Sequence, residues 1–411
     1  MTGVLFLDPG ADVTRRDVYR RGRELGARVV LVAPRLGWER DEVDDWIPAN
    51  PAEPAAVLAA LADRPPPLGV VNCSETCLET AAAIAARYGL PGLPAEVVAR
   101  CRDKVLMGER LAAAGVPMAR RYVLRRAEEA AAAVAAVGRP GVLKPSTGVA
   151  SRYTVRFDDA AELAERVRAF EAQLAGHRPA FLRHMDGRWL VESYLSGTGY
   201  SVESLVAGGV TTHLAVCEKG PITGPYFREI GHVSPPDLPT GLREELCELA
   251  GRAIQGLGID NCVTHAEFKV PPEGPRLLEI GARMGGGSIR QVVRHATGVD
   301  LLDLTLRLAL GERPAPAIAE HGAAASRSLY PPRPGRVPRV DVDRLARLPG
   351  VVAVNLWMRE GAMYRLPPHG YGEVLGVVAT APTAAEAVRL ADAATAEAAR
   401  ATVLDEEAMT A

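Results

Sequence analysis

The sequence predicts a protein of mixed α/β and α+β architecture, built from more than one structural unit. At 411 residues the chain is too long for a single hydrophobic core. In residues 1–95, apolar runs of strand length alternate with helical stretches, which favours a Rossmann-like parallel sheet. Later apolar runs follow one another through short turns, which favours antiparallel sheets. We therefore expect an N-terminal parallel sheet, antiparallel sheets in the middle and a small C-terminal α+β unit.

The N-terminal segment carries the clearest alternation. Strands are predicted over 3–9, 28–33 and 68–72, and helices over 14–25, 57–62 and 75–88. The loop at 8–12 lacks the spaced glycines of a dinucleotide-binding turn, which argues against NAD binding there. Proline and glycine cluster at 89–94, so we place the end of the first domain at residue 95.

The rest of the chain is predicted to form two further domains. We expect a central domain over 96–313, with a lid over about 120–195, and a C-terminal α+β subdomain over 314–411. The central elements that matter most are a helix over 94–115, a long loop over 219–239, a hairpin over 262–270 and 276–287, and a helix over 288–310.

Composition and charge exclude several classes of function. The formal net charge is −2, so nothing favours binding to nucleic acid or to an anionic membrane. There is no apolar run of membrane-spanning length and no signal-peptide pattern, so we expect a cytoplasmic protein. The six cysteines are scattered and show no paired metal-ligand spacing. Oligomeric state leaves no trace in the sequence, and a homodimer is the commonest arrangement for such a chain.

Lysine is rare in this chain. Of the 48 basic residues only four are lysines and 44 are arginines; the lysines are Lys104, Lys144, Lys219 and Lys269. Where any surface cation would serve, the chain uses arginine. The remaining lysines are therefore candidates for positions that need a compact, flexible ammonium group, such as a contact with phosphate. Chance retention is the alternative and would explain one or two of them.

Two glutamates lie inside the apolar strands of the predicted hairpin. A carboxylate at Glu267 or Glu279 is costly there unless a cation meets it. Antiparallel pairing across the turn at 271–275 would place both carboxylates on one face. Together with Arg283, they suit a Mg²⁺ ion that carries a nucleotide phosphate chain. The alternative is that both glutamates face solvent.

Two glycine-containing segments are candidate anion sites. The strand that carries Lys144 runs into a turn of Ser, Thr and Gly over 146–151, whose backbone N–H groups could close over phosphate. The glycines at 285–287 and Ser288 precede a predicted helix and could point backbone donors at an anion. For the second segment, tight packing of strand against helix is an equally good explanation.

Five motifs follow one another along the central part of the chain. They are Arg102-Asp-Lys104, Val142-Leu-Lys-Pro-Ser146, Val191-Glu-Ser-Tyr-Leu195, His265-Ala-Glu267 and Leu278-Glu-Ile-Gly-Ala-Arg283. Together, in this order and spacing, they resemble the ATP-grasp superfamily over roughly residues 90–310. Within it, the motif ending at Glu267, the segment 279–287 and the segment 224–232 look most like the carboxylate–amine ligases. The L-amino acid ligases that make dipeptides are the nearest.

The resemblance implies a nucleotide site between two α+β subdomains. Lys104 and Lys144 would contact the phosphates of ATP. The loop that includes Ser146, Thr147, Gly148 and Ser151 would fold over these phosphates. Adenine would be bound by Glu192, Tyr194 and Leu195.

The resemblance also implies the metal and substrate groups. Glu267 and Glu279 would ligate Mg²⁺ (or Mn²⁺), and Arg283 would steady the transferring phosphoryl group beside Lys144. Glu229 and His232 would help to form the surface that recognises the acceptor and the amine. The chemistry of this family forms an acyl phosphate on a substrate carboxylate, which an amine then attacks with release of ADP and phosphate. The resemblance therefore implies small-molecule substrates, which we expect to be amino acids.

Elementary chemistry agrees with that implication. A carboxylate is a poor electrophile, and phosphorylation gives it a good leaving group, so the protein has mainly to neutralise charge and position the reactants. The chain shows no nucleophile elbow and no recognisable triad. Two positions depart from the family pattern. Gly281 stands where many relatives carry a metal-binding Asn, and Gly199 stands where a ribose-binding Glu is common, so that Glu203 or another residue would have to replace it.

Two alternatives remain at this point. The chain could be a bicarbonate-activating carboxylase of the same superfamily, which bicarbonate-dependent ATPase activity without amino acid would favour. It could also be a nucleotide-binding module that performs no chemistry. The glycine run after Arg283 and the loop over 219–239 argue against the carboxylase, and the presence of both lysines and both metal carboxylates argues against the module.

Overall fold

A parallel sheet of four strands forms the N-terminal part of the protein. The computed structural model describes residues 3–8, 16–183, 185–319 and 321–401. The strands are β1 (Val4–Leu7), β2 (Val29–Ala33), β3 (Asp45–Pro48) and β4 (Gly69–Asn72), and the helices are α1 (Arg16–Glu24), α2 (Pro54–Leu61) and α3 (Leu78–Tyr88). The strand order β3-β2-β1-β4 confirms the predicted Rossmann-like arrangement. The first residues of the predicted helix over 14–25, and the 9–12 part of the loop at 8–12, lie outside the described residues.

Two helices replace the single helix predicted over 94–115. They are α4 (Ala95–Arg102) and α5 (Lys104–Ala113). Asp103 separates them because its backbone is extended and its carboxylate accepts hydrogen bonds from the backbone N–H groups of Val105 and Leu106. As a result Lys104 becomes the first residue of α5.

A second, antiparallel sheet has a hydrophobic core of its own. Its strands are β5 (Arg121–Leu124), β6 (Gly141–Pro145), β7 (Val155–Phe157) and β8 (Trp189–Ser193), in the order β5-β8-β6-β7. The helices α6 (Ala130–Val137) and α7 (Ala160–Gly176) pack on it. Trp189, Phe157 and Leu143 are fully buried between sheet and helices. This packing holds the strand that carries Lys144.

An eight-stranded antiparallel sheet forms the centre of the molecule. The strands after residue 195 are β9 (Thr198–Ala207), β10 (Val210–Lys219), β11 (Ile222–Thr223), β12 (Arg228–Glu229), β13 (Gly231–Ser234), β14 (Cys262–Val270), β15 (Arg276–Gly281), β16 (Ala323–Leu329), β17 (Gly335–Arg336), β18 (Val351–Leu356), β19 (Met363–Tyr364) and β20 (Leu375–Ala381). The large sheet has the order β15-β14-β9-β10-β13-β16-β20-β18, so the C-terminal segment extends the central sheet. The pairs β11–β12 and β17–β19 stand apart. Three of these strands lie where the sequence predicts a loop over 219–239.

Helices cover both faces of the central sheet. They are α8 (Leu242–Leu257), α9 (Ile289–Thr297), α10 (Leu301–Ala309), α11 (Val342–Ala346) and α12 (Ala384–Ala401). The prediction of one helix over 288–310 is wrong, because the chain turns at Gly298, which has a φ of +72°, and α10 then begins after the Asp300 cap. Along β14, Val263 packs with α9 and α10 on one face, whereas Phe268 packs with α8 on the other.

Membrane-spanning helices are absent from the described part of the chain. None of its helices combines the length and the apolar character that crossing a bilayer requires.

Candidate active site

The two hairpin glutamates are direct cross-strand partners. In the antiparallel pair β14–β15, Glu267 lies opposite Glu279, as the sequence predicts. A β-bulge follows directly, because the next pair joins Phe268 to Leu277 and the register skips Leu278. The bulge lets Leu277 remain in the core while Leu278 lines a cavity. Both carboxylates are therefore on the same face of the central sheet.

Each of these carboxylates meets a lysine. The Nζ of Lys104 lies 2.8 Å from Glu279, and the Nζ of Lys219 lies 2.7 Å from Glu267. Burial alone would raise the pKa of both glutamates, but the ammonium groups outweigh it and lower the pKa of each. The prediction that a cation must meet each buried carboxylate is confirmed. Both glutamates are thus anionic in the neutral pH range.

His265 stands behind Glu267 and links it to a second buried acid. Its Nε2 lies 2.9 Å from Glu267, and its Nδ1 lies 2.5 Å from Glu203. Burial would lower the pKa of His265, but Glu203 and Glu267 together raise it to about 9. Glu203 is fully buried and also accepts a hydrogen bond from the Ser201 hydroxyl. The imidazolium of His265, held by Glu203, therefore fixes the orientation of the Glu267 carboxylate.

Two more ion pairs continue this pattern. Lys144 on β6 lies 2.6 Å from Glu192 on the adjacent strand β8, and both side chains are buried. Lys219 also contacts Glu229 at 2.7 Å, and the Nε2 of His232 lies 3.5 Å from the same carboxylate. Burial raises the pKa of Glu229, but Lys219 and His232 bring it down to about 2.

A cavity of about 430 Å³ lies between the second sheet and the central sheet. All four lysines of the chain line it. Lys104 and Lys144 are predicted to bind the nucleotide. Five other residues with the same predicted role also line the cavity: Gly148, Ser151, Glu192, Tyr194 and Leu195. We call it the nucleotide cavity. It has the size of a ligand pocket, and its lining combines these lysines with glutamates that include Glu192, Glu267 and Glu279.

The predicted phosphate loop divides into two parts. Gly148 and Ser151 line the nucleotide cavity, whereas Ser146 and Thr147 are buried and do not line it. The hydroxyl oxygens of Ser146 and Thr147 have no hydrogen-bond partner in the described part of the molecule. Ala150 and Ser151 have φ values of +53° and +52°, an uncommon backbone conformation that turns the loop tightly.

A second cavity of about 540 Å³ adjoins the first. The two share the loop residues 149–152 and the side chains of Phe227, Glu229, Glu267 and Glu279. The rest of its wall includes residues 73–76 after β4, the glycine-rich turn 285–287 and aromatic residues of the C-terminal segment. We call it the substrate cavity.

Arg283 lines the substrate cavity and not the nucleotide cavity. Its Nε lies 2.9 Å from Glu75, and its Nη1 donates to the carbonyl oxygen of Met284 at 2.7 Å. Glu75 follows the carboxyl end of β4, the edge at which open parallel sheets bind ligands. His232 and Glu229 also line this cavity, so these three predicted residues face a common space.

The suggestion that Glu203 replaces a ribose-binding glutamate is wrong. Glu203 is inaccessible to solvent and points at His265. A side chain at Gly199 would instead meet Lys219 and Lys269, because a Cβ there would lie 3.3 Å from one and 3.7 Å from the other. Lys269 donates to the carbonyl oxygen of Gly197 at 2.9 Å. This end of the nucleotide cavity is therefore cationic.

Sequence reasoning missed several residues of the site. Glu75 holds Arg283, Glu203 holds His265, and Lys219 joins Glu229 to Glu267. Only Lys219 carried a usable signal, because it is one of the four rare lysines. The aromatic residues Tyr330 and Trp357 of the substrate cavity gave none, since they lie far along the chain from the motifs.

The donor set fits a magnesium ion that is shared with substrate phosphate. Mg²⁺ is usually held by one or two carboxylates together with phosphate oxygens and water. Glu267 and Glu279 supply two such carboxylates. Within the described ranges no group of three or more His, Cys, Asp or Glu side chains could hold a metal ion unaided. The site therefore suits a metal that arrives with a phosphate chain rather than a metal caged by protein.

Comparisons with protein families and curated proteins agree with this geometry. Residues 137–291 match a family model described as an ATP-grasp domain, and residues 327–399 match one described as L-amino acid ligase C-terminal domain 2. An uncharacterized Sinorhizobium fredii protein, y4rH, is 31% identical over 78% of this chain and 65% of its own length. The alanine–anticapsin ligase of Bacillus subtilis is 29% identical over 54% of this chain and 49% of its own length. Human carnosine synthase 1 is 30% identical over 44% of this chain and 22% of its own length.

The chain therefore spans less than two thirds of the length of these relatives.

Solved structures share its fold. The L-amino acid ligase from Bacillus licheniformis superposes with a TM-score of 0.85 at 23% identity, over 98% of each chain. The biotin carboxylase domain of the Hydrogenobacter thermophilus 2-oxoglutarate carboxylase, in complex with MgADP, ADP and bicarbonate, gives a TM-score of 0.75 at 20% identity over 98% and 90% of the two chains.

Proposed function

We propose that this chain, which carries an ATP-grasp domain followed by an L-amino acid ligase C-terminal domain, joins a carboxylate to an amine with hydrolysis of ATP to ADP and phosphate. The substrates are amino acids and the product is a peptide-like amide. The names of the alanine–anticapsin ligase and of carnosine synthase, both similar to this chain, support this class of reaction.

One observation carries the proposal: two cavities meet at the same pair of carboxylates. Glu267 and Glu279 line both the lysine-rich nucleotide cavity and the adjoining substrate cavity. A phosphoryl group bound between them is accessible from a nucleotide on one side and from an acid on the other. This is the arrangement that transfer of phosphate from ATP to a substrate carboxylate needs.

In the nucleotide cavity, we assign phosphate contacts to Lys104 and Lys144 and cover of the phosphates to the loop 146–151. Glu192, Tyr194 and Leu195 would bind adenine. Within that loop, the positions of Gly148 and Ser151 on the cavity wall support a direct role, whereas Ser146 and Thr147 would act through their backbone or as buried supports. Lys219 and Lys269 join this set because they line the same cavity.

Glu267 and Glu279 would hold Mg²⁺, which neutralises phosphate charge when bound. The approach of ATP would move Lys104 and Lys219 from these carboxylates toward phosphate oxygens, since an ammonium on a flexible stem can change partner. His265 would keep Glu267 in position during that exchange. Lys104 and Lys219 would thus neutralise Glu279 and Glu267 before ATP binds. After binding, the lysines would neutralise phosphate oxygens while Mg²⁺ neutralises the two carboxylates.

The chemical steps follow from this arrangement. A carboxylate oxygen of the acid attacks the γ-phosphorus, the bond to the bridging oxygen breaks, and ADP leaves. The amine then attacks the carbonyl carbon of the acyl phosphate, and phosphate leaves with the former carboxylate oxygen. Arg283, held by Glu75, and Lys144 would stabilise the transferring group, while Glu229 and His232 would orient the amine.

A bicarbonate-activating carboxylase is less well supported. The fold is shared with a biotin carboxylase domain, but at 20% identity this likeness concerns the fold alone. Bicarbonate has only four heavy atoms, whereas the substrate cavity measures about 540 Å³ and has aromatic walls. A binding module without chemistry would not need the shared wall of carboxylates. The amino acid ligase therefore remains the better proposal.

Three further assignments belong to this proposal. We place domains at 1–95, 96–313 and 314–411, with a lid at about 120–195 that corresponds to the second sheet. A cytoplasmic location is supported by free thiols at buried Cys101, Cys217 and Cys262. A homodimer without nucleic acid or membrane partners is part of the proposal.

The proposal is tested with a matrix of amino acid pairs assayed for phosphate release from ATP. We expect phosphate and ADP in equal amounts, and only with suitable acids. Hydroxylamine should trap the activated acid as a hydroxamate when it replaces the amine. Formation of AMP and pyrophosphate, or bicarbonate-dependent turnover without any amino acid, would refute the ligase.

A further inference from the structure

The C-terminal wall of the substrate cavity carries a carboxyl group without a cation. Glu373 follows Tyr371 and Gly372 on this wall and stands just before β20. Within the described ranges it forms no ion pair, and its partner is the hydroxyl group of Ser328, which hydrogen-bonds to it. Burial raises its pKa to about 7, and the nearby charge of Glu229 raises it as well. An isolated carboxyl group in such a place is costly.

Within the described ranges, none of the arginines that line this cavity forms an ion pair with Glu373. The guanidinium of Arg152 lies over the Phe181 ring at 5.0 Å. Arg228 lines the same cavity, but its guanidinium stacks over the Tyr330 ring at 5.3 Å and donates to the Tyr364 hydroxyl at 3.2 Å. Glu229, the acid that Glu373 senses, is already paired with Lys219 and His232. Among the described residues of this wall, Glu373 is therefore the carboxyl group that forms no ion pair with a protein cation.

The position of Glu373 is fixed by contacts with the rest of the site. The Tyr371 hydroxyl accepts a hydrogen bond of 3.2 Å from the backbone N–H of Tyr153, in the loop that borders both cavities. Tyr371 also packs edge-on against Tyr226 with ring centroids 6.3 Å apart. The wall that presents Glu373 is thus held against the loop at the reaction centre, and it is not a loose surface segment.

We infer that Glu373 binds a cationic side chain of a substrate amino acid, so that the enzyme selects a basic amino acid over its neutral counterpart. This inference rests on the proposed function. Glu229, Glu267 and Glu279 line both cavities, whereas Glu373 lines the substrate cavity alone. A group bound at Glu373 therefore lies on a part of the wall that the nucleotide cavity does not share. That position suits the end of a side chain rather than the α-ammonium, which is only two bonds from the reacting carbon.

The aromatic side chains around Glu373 agree with this ligand. Tyr330, Trp357 and Tyr371 line the same part of the cavity. Aromatic faces bind both the methylene stem and the charged head of a basic side chain. A purely acidic side chain would be repelled there by Glu373 and Glu229 together. A neutral side chain of equal length would fill the space but leave the carboxyl group unpaired.

The inference is tested by equilibrium binding, so that it does not depend on turnover. Lysine and norleucine are titrated by calorimetry into the protein saturated with Mg²⁺ and a non-hydrolysable ATP analogue. Norleucine keeps the four-carbon side chain and lacks the terminal ammonium. We expect lysine to bind the wild type at least tenfold more tightly, and this ratio to fall close to one in Glu373→Gln. The control Glu360→Gln removes an exposed carboxylate away from the cavity and should keep the wild-type ratio.

Each outcome separates the two proposals. Equal binding of lysine and norleucine by the wild type, or an unchanged ratio in Glu373→Gln, overturns the role of Glu373, even if the protein makes amides. A strong lysine preference that Glu373→Gln abolishes supports that role, even if no amino acid pair releases phosphate from ATP. In that case the ligase proposal fails and the binding site stands. Circular dichroism of Glu373→Gln shows whether the variant is folded; if it is not, Glu373→Asp takes its place and should reduce the ratio by a smaller factor.

Discussion

The nucleotide cavity and the substrate cavity share a wall but neutralise their carboxylates in different ways. On the nucleotide side, Glu279, Glu192 and Glu267 each contact a lysine. On the substrate side, Arg283 is paired with Glu75, and Glu373 forms no ion pair with any residue that the structure describes. The nucleotide always brings the same triphosphate, so its site can keep a fixed set of mobile ammonium groups. The substrate site leaves one charge for the ligand to match.

The two cavities also differ in which basic residues line them. All four lysines line the nucleotide cavity, whereas Arg228 and Arg283 line only the substrate cavity. A lysine can leave one carboxylate and turn toward a phosphate, while an arginine held by two or more hydrogen bonds keeps its place. We therefore expect lysines where charge must move during the reaction and arginines where it must stay.

The largest effect should follow loss of one member of a carboxylate–ammonium pair. Lys144→Ala and Glu279→Ala should each reduce phosphate release by about a thousandfold or more, because the proposed function assigns both groups to the phosphate chain or its metal ion. Circular dichroism spectra should be unchanged. Arg168→Ala, at an exposed position on α7, is the control and should retain activity. Rates near the wild type in either active-site variant would refute the site assignment.

Exchange of lysine for arginine should have the next largest effect. Lys104→Arg keeps the positive charge opposite Glu279 but replaces a compact ammonium with a planar, wider group, so we expect a loss of about 10- to 100-fold in kcat/KM. The reverse change Arg110→Lys, on the exposed side of the same helix, should have no effect. Full activity in Lys104→Arg would show that charge alone matters, and that the rarity of lysine carries no functional meaning.

Several of these features follow from the sequence, and the reasons are local. The pairing of Glu267 with Glu279 was predictable because two alternating strands and a short turn set the register. The four lysines stood out against 44 arginines. By contrast, the contact of Glu75 with Arg283, and the place of Glu373, join segments far apart in sequence. Periodicity describes one segment at a time, so these tertiary contacts leave no local pattern.

The same limit explains the corrections. Asp103 ends α4 and caps α5, although the apolar pattern continues through it. The segment 219–239 contains β12 and β13, because neighbouring strands supply hydrogen-bond partners that glycine and proline content does not reveal. Glu203 was a reasonable candidate for ribose, but alternation alone does not show which face of β9 meets His265.

A smaller effect is expected from the acid that holds His265. Glu203→Gln removes the charge that raises the pKa of His265 and so weakens the support of Glu267. We expect the Mg²⁺ concentration for half-maximal activity to rise about tenfold, as for other residues that orient metal ligands. Ser201→Ala removes a hydrogen bond to Glu203 and keeps the charge, so it serves as the control. An unchanged Mg²⁺ requirement in Glu203→Gln would contradict this role.

The smallest expected effect concerns stability rather than activity. The pKa of Glu373 is raised from 4.5 to about 7 in the folded protein, so the carboxyl group destabilises the fold increasingly as pH rises from 4.5 through 7. Glu373→Gln without ligand should therefore unfold at a higher temperature than the wild type at pH 8, by on the order of 1 °C, and at nearly the same temperature at pH 4.5. A lower unfolding temperature at pH 8 would mean that Glu373 has a stabilising partner. Differential scanning fluorimetry at both pH values measures this.

The central claim is that the shared carboxylates bring a nucleotide phosphate to a substrate carboxylate. It is tested most directly by labelling both carboxylate oxygens of the acid with ¹⁸O and analysing the released phosphate by ³¹P NMR. The account predicts one ¹⁸O atom in every phosphate released, one ¹⁸O retained in the amide, and no AMP. Unlabelled phosphate released alongside the amide would contradict it.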